Sequence, residues 1–490
     1  MNYYRQIPSK SAPGLTAQPQ WPKYQPKPGG GSSANPVRSE RKQRQQSLPG
    51  ARPLPAFRQF SMNKLLAHIA TLIGQENLLA DAASLAAYAG AASFDGPASP
   101  DLPLAVARPR HPAQLARMLA FCTAEKIPLA IRGAGTRPVA RTPLAGKLLL
   151  VTTGLDRIYE INPQNRSICL QAGVSCRALQ AALAAKSLFC PAESFGTVGG
   201  SLAVNPAACQ TLKYGSLSSF VSNLRIALAD GQTLNASLYG DGPGNFACQL
   251  PLAGLMCGSR GQLGVIAACS LRLLPAPEAG IRLAFKFASP GEAAQAANIL
   301  LASPLEPSFL EIYDGLCAAA LGLGSQPLLI AGFEGRGNVV RAAREACASL
   351  LDAPGEPADF APESLLPGLR KARGPFRLVQ AACPPERLGS LLAQIRDPAS
   401  GLELAVHCDA AVALARIAIF GAHPDIASFE KRLFAAELML NEALETEADA
   451  SLSRQEWQSR HDSGLLASLK TLLDPAGILN PLPDSGRNEA

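Results

Sequence analysis

The sequence predicts a fold that mixes helices and strands, of the α+β or α/β class. Between Met62 and about Pro275, short apolar runs typical of strands alternate with stretches that have helical spacing. The turns that connect them are rich in glycine. With 490 residues, of which 47% are hydrophobic, the chain is long enough for more than one folded unit.

The predicted elements follow in order along this part of the chain. Residues 103–107 are a short extended run, and residues 111–126 have apolar side chains at helical spacing. Further strands are expected at residues 127–131, 148–151, 158–161 and 167–172, and a second amphipathic helix at residues 175–186. These elements make up the predicted region 62–277, and the remainder, residues 278–490, is expected to form a separate domain.

Residues 1–61 differ in composition from the rest. They contain ten prolines and ten basic residues against one acidic residue, Glu40. Such a segment has little to bury and repels itself, so we expect a disordered tail or leader, with the first helix beginning at Met62. Attachment to a membrane or a nucleic acid through the basic cluster at residues 41–44 is the alternative.

Charge and cysteine usage exclude several classes of protein. Beyond residue 61 there are 35 basic and 37 acidic residues, so the folded part carries no excess of positive charge for nucleic acid. The twelve cysteines include no CxxC pair, which argues against an iron–sulfur cluster in this chain and favours reduced thiols. No apolar run has the length of a membrane span. We expect a cytoplasmic protein, at most peripheral at the inner face of the membrane.

Three glycine-containing loops carry the chemical signal. The first follows a strand, so its backbone N–H groups can converge on phosphate oxygens, although alone it is more often a structural turn. The second places paired glycines after a threonine, and the third leads into the apolar strand 267–274. The candidate residues are Arg132, Gly133, Ala134, Gly135 and Thr136 in the first loop; Pro191, Thr197, Val198, Gly199, Gly200 and Asn205 in the second; and Gly258, Gly264, Val265 and Ile266 in the third.

In this order and spacing, the three loops resemble the flavin-binding domain of the FAD-linked oxidase family, of the vanillyl-alcohol oxidase or p-cresol methylhydroxylase type. The likeness is greatest to glycolate oxidase flavin subunits and D-lactate dehydrogenases. The family's RGGGT is matched by RGAGT at residues 132–136, and its GSEGTLGVI by residues 258–266. The resemblance covers about residues 80–277, and residues 473–481 repeat a later family motif that should return to the flavin domain.

The resemblance implies a two-part FAD-binding domain at residues 62–277, followed by an α+β substrate domain. The first loop would hold the FAD pyrophosphate, the second would lie along the phosphates and isoalloxazine ring, and residues 264–266 would contact the flavin through backbone. Covalent members have a histidine where Thr136 stands, so FAD should be bound non-covalently.

Departures from the family pattern affect the substrate side. The family's SGGA is replaced at residues 137–140, its KNVAGYDL at residues 244–250 lacks the Tyr-Asp pair, and the acid of GSEG is Arg260. Its metal motif HxGDGNxH corresponds to a segment with His407 but with Leu414 at the second histidine. His407 is therefore a weak metal candidate, and no metal site is predicted.

Other polar residues of the predicted substrate domain have ordinary interpretations. Glu311 and Asp314 are expected to be surface charges on a strand, and His423 and His461 to lie in a turn and a solvated stretch. An arginine clamp for a carboxylate could come from Arg370, Arg373 and Arg377, although exposed helix positions are the commoner explanation. The catalytic base cannot be identified.

The resemblance implies an FAD-dependent oxidoreductase that dehydrogenates a small 2-hydroxy acid of the glycolate or D-lactate type. Electrons would leave to a quinone, a cytochrome or a partner subunit, such as an iron–sulfur subunit. The alternative is a non-catalytic flavin-binding subunit of a glycolate-oxidase-like complex. A degenerate fold without flavin is disfavoured because all three loops are retained.

Overall fold

The computed structural model describes residues 56–88, 102–136, 144–206, 209–237, 252–360, 362–374, 376–395, 403–420, 439–444 and 464–480. Helix α1 (Ala56–Ile73) begins six residues before the predicted start at Met62, so that prediction was wrong. The chain has no proline or glycine between Pro55 and Gly74, and nothing local ends the helix within this stretch. The predicted disorder of residues 1–55 lies outside the described residues.

A four-stranded sheet lies at the start of the flavin-domain region. Its strands occur in the order β1, β2, β4, β3, and the last three are mutually parallel. The predicted helix at residues 111–126 is confirmed as α3, whose buried Leu115, Met118, Leu119 and Cys122 pack into a core beside the sheet. The elements are β1 (Leu78–Leu79), α2 (Ala82–Tyr88), β2 (Ala105–Ala107), α3 (Pro112–Ala124), β3 (Leu129–Arg132) and β4 (Leu148–Val151).

An antiparallel sheet of five strands follows, in the order β5, β6, β10, β8, β9. Its strands are β5 (Ile158–Asn162), β6 (Ser167–Gln171), β8 (Val221–Ala227), β9 (Thr233–Ser237) and β10 (Val265–Arg272), with β7 (Leu188–Phe189) paired separately to β11 (Leu274–Pro275). Four helices connect these strands: α4 (Cys176–Ala184), α5 (Val198–Val204), α6 (Thr211–Tyr214) and α7 (Leu252–Met256). Strand β10 is the central strand, so the third loop leads directly into the middle of this sheet.

An eight-stranded antiparallel sheet forms the rest, in the order β15, β12, β14, β13, β17, β18, β16, β19. Its strands are β12 (Ala279–Lys286), β13 (Phe309–Tyr313), β14 (Leu328–Gly335), β15 (Glu356–Pro357), β16 (Phe376–Ala382), β17 (Glu403–Asp409), β18 (Leu414–Phe420) and β19 (Met439–Leu444). The helices are α8 (Pro290–Ala302), α9 (Gly315–Ala320), α10 (Gly337–Leu350), α11 (Leu365–Arg373), α12 (Leu388–Ile395) and α13 (Gly464–Leu473). The α+β class is confirmed, and the predicted boundary at residue 277 stays a prediction.

The two faces of the eight-stranded sheet differ. Side chains such as Leu310, Ile312 and Cys408 join one apolar core with α8, α10 and α12. Because side chains alternate along a strand, Glu311, Tyr313 and His407 lie on the opposite face. This second face also meets helices α9 and α11 and a segment from the flavin-domain region.

In the described ranges, most thiols are buried and the helices are not of the membrane-spanning kind. Eleven cysteines there are free, and nine of these are buried. Burial raises the pKa of Cys190 to about 12, so this thiol stays protonated near neutral pH. Among these same ranges, no helix has the length and apolarity needed to cross a bilayer.

Gly173 follows β6 of the five-stranded sheet and packs against the segment that follows β4 of the four-stranded sheet, so there is no room for a side chain at this position. A Cβ there would overlap the Thr152 carbonyl oxygen and lie 2.7 Å from the Leu155 carbonyl oxygen. We expect Gly173→Ala to lower the free energy of unfolding by about 1–3 kcal/mol. Urea unfolding measures this, with Gly389→Ala in α12 as the control, because a Cβ at that position meets nothing within 4 Å. Equal unfolding midpoints for both variants would contradict the packing argument.

Candidate functional site

The first and second glycine loops contact each other directly. The first leaves β3 after Arg132, and a Cβ at Gly133 would lie 2.5 Å from Thr197 Oγ1. A Cβ at Gly200 would lie 2.9 Å from the same oxygen and 3.9 Å from Gly133 Cα. Because Gly133 and Gly200 have no side chains, the two backbones approach each other closely on either side of the Thr197 hydroxyl. A two-loop cradle of this kind is what an extended anionic ligand requires, since backbone N–H groups can then contact it. Gly135 is in the left-handed region, with φ +68°.

The paired glycines of the second loop have different tasks. Thr197 caps α5, and its Oγ1 accepts a hydrogen bond from the Gly200 N–H at 3.2 Å. Gly199 instead packs on the chain, because a Cβ there would lie 2.5 Å from Ala172 Cβ and 2.9 Å from its carbonyl oxygen. Of the pair, only Gly200 faces the first loop.

The rest of the second loop is held from both sides. Gln180 donates to the carbonyls of Cys190 and Ala192 and so fixes the backbone around the buried Pro191. Val198 is fully buried in the core. The helix ends at Asn205 in the left-handed conformation, φ 47°.

The third loop lies against the end of α5. The N–H of Gly258 donates to Leu202 O at 3.0 Å, and that of Arg260 donates to Ala203 O at 2.8 Å. Gly264 allows the turn into β10 to approach β8, since a Cβ there would lie 2.7 Å from Ile226 Cγ2. Val265 and Ile266 are buried, with their side chains in the core, so only their backbone is available to a ligand.

A fourth segment, from the carboxy-terminal part of the chain, joins these loops. Residue Leu479 pairs in parallel with Leu129 of β3. Asn480 accepts a hydrogen bond from the Ile131 N–H at 2.7 Å and donates to Arg260 O at 2.7 Å. The motif at residues 473–481 indicated a return to the flavin domain, but not that one side chain links two loops.

Asn205 tests whether the site fits FAD. Its Oδ1 is buried and has no hydrogen-bond partner among the residues that the structure describes. An unpaired buried acceptor costs about 1–3 kcal/mol, so a ligand donor at this point would be favourable. FAD offers both N–H and O–H donors, and the close approach of Gly133 and Gly200 leaves backbone groups for its phosphates. The residues present fit this cofactor.

A buried polar cluster lies on the second face of the eight-stranded sheet. Glu311 Oε2 accepts hydrogen bonds from the Tyr313 hydroxyl and, at 2.9 Å, from His407 Nε2. The other ring nitrogen, Nδ1, lies 3.4 Å from Arg416 Nη1, and the Tyr313 ring stacks on the imidazole at 4.7 Å between centroids. Asp409 is the next residue on the same face of β17.

The prediction that Glu311 and Asp314 are surface charges was wrong, since their exposed fractions are 3% and 1%. Strand β13 lies inside the sheet between β14 and β17, and local sequence does not reveal this position. Asp314 is structural: it caps α9 by accepting from the Cys317 N–H and also accepts from the Val406 N–H, both at 2.8 Å. Glu311 alone belongs to the polar cluster.

The two carboxyl groups of the cluster titrate differently. Burial alone would raise the pKa of Glu311, but its interactions with His407, Tyr313 and Arg416 outweigh burial and lower that pKa. Burial, with the nearby Glu311 charge, raises the pKa of Asp409 to about 7 against the opposing effect of Arg416. Two close acids with separated pKa values are typical of functional sites.

The weak metal candidate His407 and two of the clamp candidates have other partners. Both ring nitrogens of His407 contact protein groups, and the described ranges contain no group of three or more His, Cys, Asp or Glu that could hold a metal ion. Arg373 pairs with Glu403 at the surface, 3.3 Å apart, and the Arg370 guanidinium lies over the Phe376 ring. The Arg377 side chain, His423, His461 and residues 137–140 and 244–250 lie outside the described parts.

A segment that follows the second loop reaches the polar cluster. Lys213 and Tyr214 of α6 donate hydrogen bonds to Glu334 of β14, the Tyr214 hydroxyl at 3.0 Å. The half-buried Cys209 lies close enough for the charges of Glu311 and Asp409 to affect its thiol, and desolvation raises the pKa of that thiol to about 12. The cofactor loops and the polar cluster are thus joined by one short stretch of chain.

Comparisons with known proteins agree with this geometry. Residues 103–237 match the family model described as FAD binding domain, which confirms the predicted cofactor. The chain is 29% identical over 228 residues to "Glycolate oxidase subunit GlcD" of Bacillus subtilis (strain 168), covering 45% of this chain and 48% of that protein. It is 28% identical over 174 residues to "D-lactate dehydrogenase" of Anaerostipes hadrus, covering 35% and 36%. The chain thus spans half or less of the length of these relatives.

The fold also matches a solved structure over most of both chains. The structure of p-cresol methylhydroxylase with substrate bound gives a TM-score of 0.69 at 15% identity and covers 86% of this chain and 96% of that chain. At this identity the likeness concerns the fold alone. It confirms the predicted type of FAD-binding fold.

We expect cofactor binding to depend on the close approach at Gly133. Because a methyl group there would displace Thr197, we expect Gly133→Ala to weaken FAD binding at least about tenfold, a loss of about 1.4 kcal/mol. Fluorescence titration of the flavin-free protein measures the dissociation constant. Gly254→Ala in α7 is the matched control, since a Cβ at that position meets nothing within 4 Å. Unchanged affinity in Gly133→Ala would reject the two-loop cradle.

The raised pKa of Asp409 predicts a pH dependence of stability. Between pH 4 and 7 the unfolded chain loses this proton while the folded chain keeps it, so stability falls as pH rises through this window. We expect Asp409→Asn to remove on the order of 3 kcal/mol of this loss. Urea unfolding of both proteins at pH 4, 5.5, 7 and 8 provides the comparison. Parallel curves would show that Asp409 titrates normally.

Proposed function

We propose that this chain is a member of the FAD-linked oxidase family and an FAD-dependent oxidoreductase. Its substrate would be a small 2-hydroxy acid of the glycolate or D-lactate type, which it would dehydrogenate. The FAD-binding domain at residues 103–237 supports the cofactor part of this proposal. The relatives named as a glycolate oxidase subunit and a D-lactate dehydrogenase support the substrate class.

The observation that carries the proposal is the buried cluster around His407. Removing a charged group from water costs several kcal/mol, so the buried Glu311 is an expensive choice for a position in a sheet, and Arg416 in the same cluster is half-buried. The cluster lies on the face that the flavin-domain segment containing Cys209 approaches. A substrate held there would lie between the sheet and the cofactor loops.

The cluster contains the groups that such a reaction needs. The carbon and the hydroxyl of the substrate each lose a hydrogen as the carbonyl forms, and bound FAD supplies the acceptor for the electron pair. Glu311 accepts from His407 Nε2 and so orients the ring with Nδ1 as the atom to take the hydroxyl proton. Arg416, 3.4 Å from Nδ1, is the cation for the substrate carboxylate, and its movement toward that anion would free Nδ1.

The remaining features of the proposal rest on the resemblance to the FAD-linked oxidase family. FAD would be bound non-covalently, because Thr136 has no nucleophilic ring nitrogen to bond the flavin. The reduced cofactor would pass its electrons to a quinone, a cytochrome or an electron-transfer partner such as an iron–sulfur subunit. Peripheral attachment to the membrane would suit a quinone acceptor.

A second candidate function is a flavin-binding subunit that does not itself oxidise substrate. Two observations favour it: Leu414 occupies the second histidine position of the family's metal motif, and Arg416 already contacts His407 Nδ1. Such a subunit would retain the cofactor loops and have no turnover of hydroxy acids.

Anaerobic mixing of the FAD-loaded protein with D-lactate, L-lactate or glycolate distinguishes the two. The first function predicts bleaching of the flavin absorbance by at least one of these compounds. Bound FAD that none of them reduces would favour the second function and reject the first for this substrate class.

The histidine has a separate test. We expect His407→Gln to slow flavin reduction about 100-fold or more, because proton removal loses its acceptor, with FAD content unchanged. Stopped-flow absorbance gives the rate, and His68→Gln on the exposed side of α1 is the control. A reduction rate within threefold of the unaltered protein would exclude His407 as the proton acceptor.

A further inference from the structure

We propose that residues 464–480 are part of the FAD site, as a clasp that sets the spacing between the first and third cofactor loops, with Asn480 as its positioning residue. This carboxy-terminal clasp rests on the FAD binding described above but on no assumption about the substrate.

Asn480 contacts both loops with the two ends of one amide. Its Oδ1 accepts from the Ile131 N–H, directly before the first loop, and its Nδ2 donates to Arg260 O in the third loop, each at 2.7 Å. Its own N–H donates to Leu129 O at 2.9 Å. A short planar side chain that satisfies a donor and an acceptor fixes the distance between them.

The clasp itself is rigid. Asp474 is 2% exposed and accepts from the N–H groups of Ile478 and Leu479 at 3.0 and 2.8 Å. Lys470 Nζ donates to Asp474, to Leu479 O and, in the third loop, to Gln262 O at 2.8 Å. Burial lowers the pKa of Lys470 despite its carboxylate partner. Asn480 is therefore held in the left-handed conformation, φ 39°, with its amide directed at the loops.

These contacts close a ring around the cofactor loops. The first loop meets the second at Thr197, the second meets the third where Arg260 donates to Ala203 O, and Asn480 joins the third back to the first. A ligand that contacts all three loops binds best when their spacing is preset, since it then does not have to order them. Reciprocally, bound FAD should stabilise the clasp.

Three proteins test the proposal by FAD titration of the flavin-free form and by unfolding in the absence of FAD. Asn480→Ala should weaken FAD binding at least tenfold. Asn480→Asp should weaken it similarly, because it keeps the acceptor for Ile131 but places a carboxylate against Arg260 O. Val339→Ala, at a position 55% exposed on α10 and outside the clasp, should bind FAD normally.

A merely structural role makes a different prediction. The Asn480 substitutions would then lower the stability of the flavin-free protein but leave the FAD dissociation constant within twofold of the unaltered value. That result would overturn the proposed role of the clasp in FAD binding. Failure of the unaltered protein to bind FAD would instead reject the proposed function itself.

Hydrogen exchange on the unaltered protein gives a readout that does not depend on any variant folding. FAD should slow exchange of the amides of Ile478, Leu479 and Asn480 at least tenfold. Exchange that is the same with and without FAD would overturn the coupling between the clasp and the cofactor.

Discussion

The close contact between Gly133 and Gly200 across the Thr197 hydroxyl is the constraint on which the cofactor site depends. Gly133 follows a strand of the first sheet, whereas Gly200 lies on a helix that packs against the second, so their separation also sets how the two sheets meet. A methyl group at either position would overlap the Thr197 hydroxyl, which would have to move. The hydroxyl that fills the gap also caps α5, so the helix direction depends on the same contact.

The polar cluster on the eight-stranded sheet is governed by a different constraint, which is the cost of burying charge. Glu311, His407 and Arg416 partly satisfy one another, and the lowered pKa of Glu311 shows that its partners outweigh desolvation. Asp409 accepts hydrogen bonds from the Ala411 and Val412 N–H groups, but burial and the Glu311 charge outweigh these and raise its pKa to about 7. A sheet built only for stability would place apolar residues here, as it does on its other face.

Both sites are assembled from segments that are distant along the chain. The cofactor loops lie between residues 132 and 266, yet the side chain that joins the first to the third comes from Asn480. The polar cluster combines residues of β13, β17 and β18, which are neighbours only because of the strand order. The short stretch around Cys209 and α6 then connects the second glycine loop to the eight-stranded sheet, through Glu334.

Local patterns in the sequence predicted the α+β class and the helix at residues 111–126 and indicated the three glycine loops as a candidate site, because turn glycines and apolar periodicity act over a few residues. They did not distinguish Gly199, which packs on Ala172, from Gly200, which faces the first loop. Only the tertiary structure decided that Glu311 is buried rather than exposed and that His407 has Glu311 and Arg416 as partners. Burial and pairing depend on which strands become neighbours, and that order is set by the packing of the whole sheet rather than by any segment within it.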